Sequence, residues 1–137
     1  MRLGCSILGT CSAPTSLHFI DVLENEIKDL YAGTKAPAPR IVGIAASILS
    51  PDHASPVADA IQKHFGSKLD IFVNNAAAVD RTPVGSLETV SVANVLLGNI
   101  QIPAMTIDLL VKRKYFRKNS RIIFISSAES TRCDPSA

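Results

Sequence analysis

The sequence predicts an α/β fold built on a doubly wound parallel sheet. Three observations predict it. Short apolar runs of strand length recur at residues 41–46, 69–73 and 122–125, stretches of helical period separate them, and small polar residues directly follow each run. Continuous apolar runs suit strands buried on both faces of a parallel sheet. Their alternation with helices implies right-handed βαβ crossovers. Ligands of such sheets sit beyond the carboxyl ends of the strands. Those ends are Ser47, Asn74-Asn75 and Ser126-Ser127, which places a site before any family is considered.

Residues 1–16 show no clear period and read as a weak strand or a ragged terminus. One basic residue followed by a short apolar patch invites a signal-peptide reading, but glycine, serine and threonine interrupt the patch and no A-x-A-like site follows. Residues 21–31 read as a helix, with Ile20, Leu23, Ile27 and Leu30 on one face, ended by Gly33. A Pro-rich linker precedes the run at 41–46. A second helix begins at Ser50-Pro51 or at Ser55-Pro56, presents Val57, Ile61 and Phe65, and stops at Gly66. After the run at 69–73 comes a loop, then a long helical pattern over 90–114 interrupted by Pro103. The last strand is expected over 121–126, before a small, polar tail.

The 137 residues suffice for one domain with a core. An apolar fraction of 47% with 19% charged residues is globular composition. A net charge of +2 implies neither a nucleic-acid nor an anionic-membrane partner. No uninterrupted apolar run approaches the roughly 18 residues of a membrane span. Cys5, Cys11 and Cys133 fit no metal-ligand spacing, and His18, His53 and His64 are scattered, so no metal site is assigned. The odd cysteine count suits a reducing, cytoplasmic setting.

Four features over residues 40–130 carry a family resemblance. Leu69-Asp70-Ile71-Phe72-Val73-Asn74-Asn75-Ala76-Ala77 resembles a strand ending in N-N-A-G, with Ala77 in place of the glycine. A Cβ there would crowd a cofactor approaching the backbone. Asn99 precedes Pro103 by four residues. Proline has no N–H, so the Asn99 carbonyl loses its helical partner and can bind water instead, at a cost of about 3 kcal/mol. Ile122-Ile123-Phe124-Ile125-Ser126-Ser127-Ala128 resembles a strand that delivers a catalytic serine. Ser47-Ile48 follows the first run where an adenine-contacting aspartate is usual. Together these features resemble the short-chain dehydrogenase/reductase family. The resemblance implies a partial Rossmann-like fold and hydride transfer between NAD or NADP and a small carbonyl or alcohol, with a homo-oligomer as a further option. By register it makes Asn99 and Ser127 catalytic, with Ser126 as the alternative serine. It makes Ser47, Ile48, Asn74, Asn75 and Ala76 cofactor-binding.

Two of the family's parts are not found. No T-G-x-x-x-G-x-G loop leads from a first strand toward a pyrophosphate. Gly4 and Gly9 have the spacing of P-loop glycines, but no lysine follows Gly9. The family's cofactor-selecting second strand is not recognisable either. An outer strand at 41–46 must therefore pair unusually, or residues 3–8 must fill in. No Y-x-x-x-K follows Ser127, although that tyrosine is the family's general acid/base and the lysine lowers its pKa. Tyr31 and Lys35 have the spacing but precede the sheet, with Gly33 between them. The basic stretch Lys112-Arg113-Lys114-Tyr115-Phe116-Arg117-Lys118 could contact phosphates and stack on bases. Cations at a helix C-terminus, opposing its dipole, explain it better.

The expectation is one incomplete domain over 1–137, with a divergent terminus over 1–16. It is read as a truncated enzyme that is inactive alone. A non-catalytic nucleotide- or protein-binding relative is the alternative, and a basic nucleic-acid-binding module is the third reading.

Overall fold

A computed structural model describes residues 4–83 and 85–127. Its elements run β1 (Ile7–Cys11), a 3₁₀ turn (Pro14–Ser16), α1 (His18–Tyr31), β2 (Ile41–Ala45), α2 (Ala54–Phe65), β3 (Leu69–Asn74), α3 (Thr89–Leu96), a π-helical turn (Leu97–Gln101), α4 (Ile102–Lys112) and β4 (Phe116–Phe124). The strands form two parallel pairs, β1 with β2 and β3 with β4.

The first pair includes the weak strand read within residues 1–16. Residues 7–11 form a strand in register with β2, Ile7 opposite Ile41 and Cys11 opposite Ala45. The run is only five residues long and carries Gly9 and Thr10, so no apolar period announces it. Gly9 lies opposite Gly43, and both glycines meet Ile20 of α1. A Cβ at Gly43 would come within 2.8 Å of Ile20 Cδ1. The paired glycines thus let α1 settle directly on the backbone of β1 and β2.

The other face of that pair carries Leu8 and Ile44, which pack with α2 and α4. The core gathers Ala46, Val57, Ala58, Ile61, Leu110 and Tyr115, with Leu69 and Phe72 of β3 against it. Helices therefore lie on both faces, α1 on one and α2 with α4 on the other, which is the doubly wound arrangement. Helix α2 stops where predicted, because Gly66 takes the left-handed conformation, φ 61°.

Helix α3, the π turn and α4 follow without a break, so Pro103 does not interrupt the helix. The wider π turn ends just before it, with the Ile102 N–H donating to Leu97 O. Pro103, which has no N–H to donate, follows directly at the junction of the π turn and α4. The continuous 24-residue helix Thr89–Lys112 has a mean hydropathy of 1.4 over its most apolar window, enough by length and composition to cross a membrane. The uninterrupted-run criterion overlooked it. Its buried residues are Gly98 of the π turn and Ile102, Pro103, Thr106 and Leu110 of α4, which packs on α2.

Strand β4 begins earlier than predicted because its pairing is irregular. Leu69 pairs with Phe116, but Ile71 already pairs with Arg121. The extra residues bulge out through Asn119 at φ 69°. The Ser120 hydroxyl secures the bulge by donating to Leu69 O at 2.8 Å.

Candidate functional site

The carboxyl ends of β1, β2 and β3 surround a cavity of about 350 Å³, lined by residues 10–12, 46–49 and 76–78. Three strand ends opening on one cavity point the same way, so the two parallel pairs share a direction. The position matches the rule for ligands of doubly wound sheets.

Of the residues read as cofactor-binding, Ser47, Ile48 and Ala76 line this cavity. Asn74 and Asn75 stand at the end of β3, outside its lining. Ser47 shapes its own turn, since Oγ accepts the Leu49 N–H at 3.2 Å. Ala77, the residue that replaces a glycine, also lines the cavity.

Asn99 sits in the π turn, and its side chain holds Ala78, a residue of the cavity wall. Oδ1 accepts the Ala78 N–H at 2.7 Å, and Nδ2 donates to Ala78 O at 2.8 Å. The amide thus copies a backbone partner for an irregular loop. Gly98 makes the close approach possible. A Cβ there would come 3.0 Å from Ala78 Cβ and 3.2 Å from Ile48 Cδ1. Two loops of the site therefore bear on one buried glycine.

Ser127 lies beyond β4, exposed. It does not line the cavity. The structure thus brings Ser47, Ile48 and Ala76 together and ties Asn99 to the same wall through Ala78, while Ser127 lies past the end of β4. Tyr31 ends α1 near the amino end of β1, away from the cavity at the carboxyl ends. A Cβ on Gly4, which precedes β1, would approach its hydroxyl to 3.3 Å. The spacing of Tyr31 and Lys35 therefore has no structural connection with the site.

Sequence reasoning missed Thr10, Cys11 and Ser12, because the strand that carries them was not recognised. The available signal was the pair Gly9 and Gly43 at the centres of two short runs. The Cys11 thiol points back into the fold, toward Ala13 O at 3.2 Å and Ile44 O at 3.5 Å. Beyond the cavity, Asp80 caps the next turn. Its Oδ1 accepts the Thr82 hydroxyl at 2.6 Å and the Thr82 N–H at 2.9 Å. The Thr82 hydroxyl, and then its N–H, hold the Asp80 carboxyl below its ordinary pKa of 3.8.

The basic stretch is largely matched by acids. Lys112 pairs with Asp108 at 2.6 Å, Arg113 with Asp59 at 2.6 Å and Arg117 with Asp70 at 3.4 Å. Tyr115 is buried and Phe116 packs on the core, so neither ring is presented for stacking on a base. Among the described residues, no group of three or more His, Cys, Asp or Glu could hold a metal ion.

A profile of the family described as short chain dehydrogenase matches residues 10–135. No curated protein matches the sequence. Solved structures resemble the fold over nearly the whole chain. A short chain dehydrogenase from Burkholderia cenocepacia, in complex with NADP, overlays with a TM-score of 0.76 at 20% identity, covering 94% of this chain and 48% of that one. A blue fluorescent protein from a metagenomic library, in complex with NADPH, gives 0.75 at 20% identity, with coverages of 93% and 47%. A short-chain dehydrogenase/reductase variant from Serratia marcescens gives 0.76 at 20% identity, with 93% and 47%. The chain spans about half the length of these solved relatives.

Proposed function

Because the chain belongs to the short-chain dehydrogenase family, whose cofactor is NAD(P), we propose that its 137 residues form a nucleotide-side scaffold that does not itself catalyse hydride transfer. The cavity at the ends of β1, β2 and β3 carries this reading. Its volume of about 350 Å³ is near the low end for small-molecule sites, roughly 300–1,000 Å³. That suits the adenosine half of a dinucleotide better than the whole. Ser12 and Ser47 offer hydroxyls to a ribose, while Ile48 and Ala76 offer apolar walls to a base. These 137 residues include no T-G-x-x-x-G-x-G loop to present backbone N–H groups to a pyrophosphate, so by themselves they bind a dinucleotide weakly.

When bound in the family, the nicotinamide supplies or accepts the hydride. By the family resemblance, Ser127 and Asn99 are the candidates for two of the catalytic residues. Ser127 would hold a carbonyl or alcohol oxygen. Asn99 acts as a positioning residue, holding the loop at Ala78. Residues 128–137 hold no tyrosine, so these 137 residues by themselves supply no proton donor of that kind. General acid/base catalysis typically contributes about 10²–10⁴-fold. The free thiols Cys5 and Cys11 fit a reducing, cytoplasmic setting.

The test is an absorbance assay of the purified chain with NADH or NADPH and a panel of aldehydes and ketones. No turnover is expected. Turnover that disappears in Ser127→Ala would overturn the proposal.

A further inference from the structure

We infer that Ser120 is a phosphorylation site for a basophilic serine/threonine protein kinase, presented on the bulge of β4. The ladder creates the presentation. Leu69 pairs with Phe116 and Ile71 with Arg121, so residues 117–120 all stand opposite the single residue Asp70. Four residues cannot pair with one, and the surplus loops out of the sheet. Asn119 turns that loop through φ 69°, and Arg117, Lys118 and Asn119 are exposed on it.

The charges of the loop select the enzyme. Arg117 lies three residues before Ser120, Lys118 two before and Arg121 directly after. In the whole sequence no other serine or threonine has an arginine or lysine three residues before it. A kinase with an acidic substrate cleft reads such cations through charge-assisted hydrogen bonds, strongest to a guanidinium fork. The Arg117 side chain is half exposed and its partner Asp70 stands 3.4 Å away, a weak surface pair that an acidic cleft can replace. ATP is the co-substrate. The kinase's aspartate takes the Ser120 hydroxyl proton and Oγ bonds to the γ-phosphorus. The bond from that phosphorus to the β-phosphate oxygen breaks, and ADP leaves.

The modification changes how the loop is held. The Ser120 hydroxyl reaches Leu69 O at 2.8 Å and Arg117 O at 2.7 Å. It has one hydrogen to give, so it is divided between fastening the loop to β3 and closing the loop on itself. Phosphorylation removes that hydrogen and adds roughly 1.5–2 negative charges with three acceptor oxygens. Leu69 O then loses its side-chain partner, and the phosphate turns to Arg117, Lys118 and Arg121. The fastening to β3 opens and the loop reorders around the phosphate.

The test treats the purified full chain with ATP, Mg²⁺ and the catalytic subunit of the cyclic-AMP-dependent protein kinase. A peptide of residues 112–125 serves as the unfolded reference. Phosphate is expected on Ser120 of the folded chain by fragment mass spectrometry, and is absent there in Ser120→Ala. Arg117→Gln keeps the acceptor hydroxyl. It should slow labelling about tenfold or more, as loss of a charge-assisted hydrogen bond does, and leave the circular dichroism spectrum unchanged. Amide hydrogen exchange of the phosphorylated chain should quicken at residues 69–71 and 120–122. No labelling of the folded chain, with or without labelling of the peptide, would overturn the inference. So would phosphate on another residue, a rate indifferent to Arg117, or unchanged exchange across the bulge.

Discussion

The Asn99 side chain makes two hydrogen bonds to one residue, accepting the Ala78 N–H at 2.7 Å and donating to Ala78 O at 2.8 Å. A part-buried peptide group that would otherwise lack partners is satisfied by one amide. Asn99→Leu should therefore lower stability by about 1–3 kcal/mol, the usual result of leaving buried backbone groups unpaired. Asn99→Asp keeps the acceptor and sets a carboxylate against the Ala78 carbonyl, so it should be no milder. Urea unfolding of both variants checks this, and a shift below 0.5 kcal/mol, roughly the floor for one net hydrogen bond, would show that the clamp is dispensable.

Gly98 gives a second, independent test of the same contact. Gly98→Val places its branches against Ala78 and Ile48, and overpacking of this kind costs about 1–3 kcal/mol. Gly98→Ala gains up to about 1 kcal/mol of helix propensity and loses it to a Cβ contact of 3.0 Å with Ala78. Removing that partner with Ala78→Gly should recover the propensity. A double-mutant cycle in thermal unfolding reads the coupling directly.

Gly43→Ala should be among the more damaging single-methyl additions, because its Cβ would stand 2.8 Å from Ile20 Cδ1 and 3.1 Å from Ile20 Cβ. Shortening the neighbour with Ile20→Val relieves only the first contact, so rescue should be partial. Full rescue would mean that α1 does not lie as close to β2 as described.

Stability should fall in acid through Asp80. The Thr82 hydroxyl and N–H lower its folded-state pKa below 3.8. A group depressed on folding contributes stability above its unfolded pKa and loses it as the pH falls through the folded value. His64 acts in the same direction at higher pH. Desolvation, and then the charges of Arg40 and Lys63, lower it below 6.5, so its contribution is full above pH 6.5 and lost as the pH falls. Thr82→Val should flatten the lower limb of the stability–pH curve, and His64→Gln the upper one.

Much of this was legible from residue patterns. The runs at 41–46 and 69–73 form strands as their short, apolar composition suggests, although β3 leaves Ile71 and Val73 about half exposed, and Gly66 ends α2 because it takes a left-handed turn. Residues 7–11 were not legible, because a five-residue strand whose centre is a glycine carries no period. The end of the long helix pattern misled for a different reason. Pro103 reads as a break when each residue is counted at α spacing, whereas one π turn ahead of it keeps the helix continuous. Of the cavity lining, Ser47, Ile48 and Ala76 were legible because they follow strands. Gly98 was missed because its role depends on which loop lies above it.

The most direct test of a nucleotide-side scaffold is a ¹H–¹⁵N correlation titration of the chain with NADPH. The account predicts fast-exchange shifts confined to residues 10–12, 46–49 and 76–78, with a Kd on the order of 1 mM, about −4 kcal/mol. Saturation at low micromolar concentration, or shifts centred elsewhere on the fold, would contradict it.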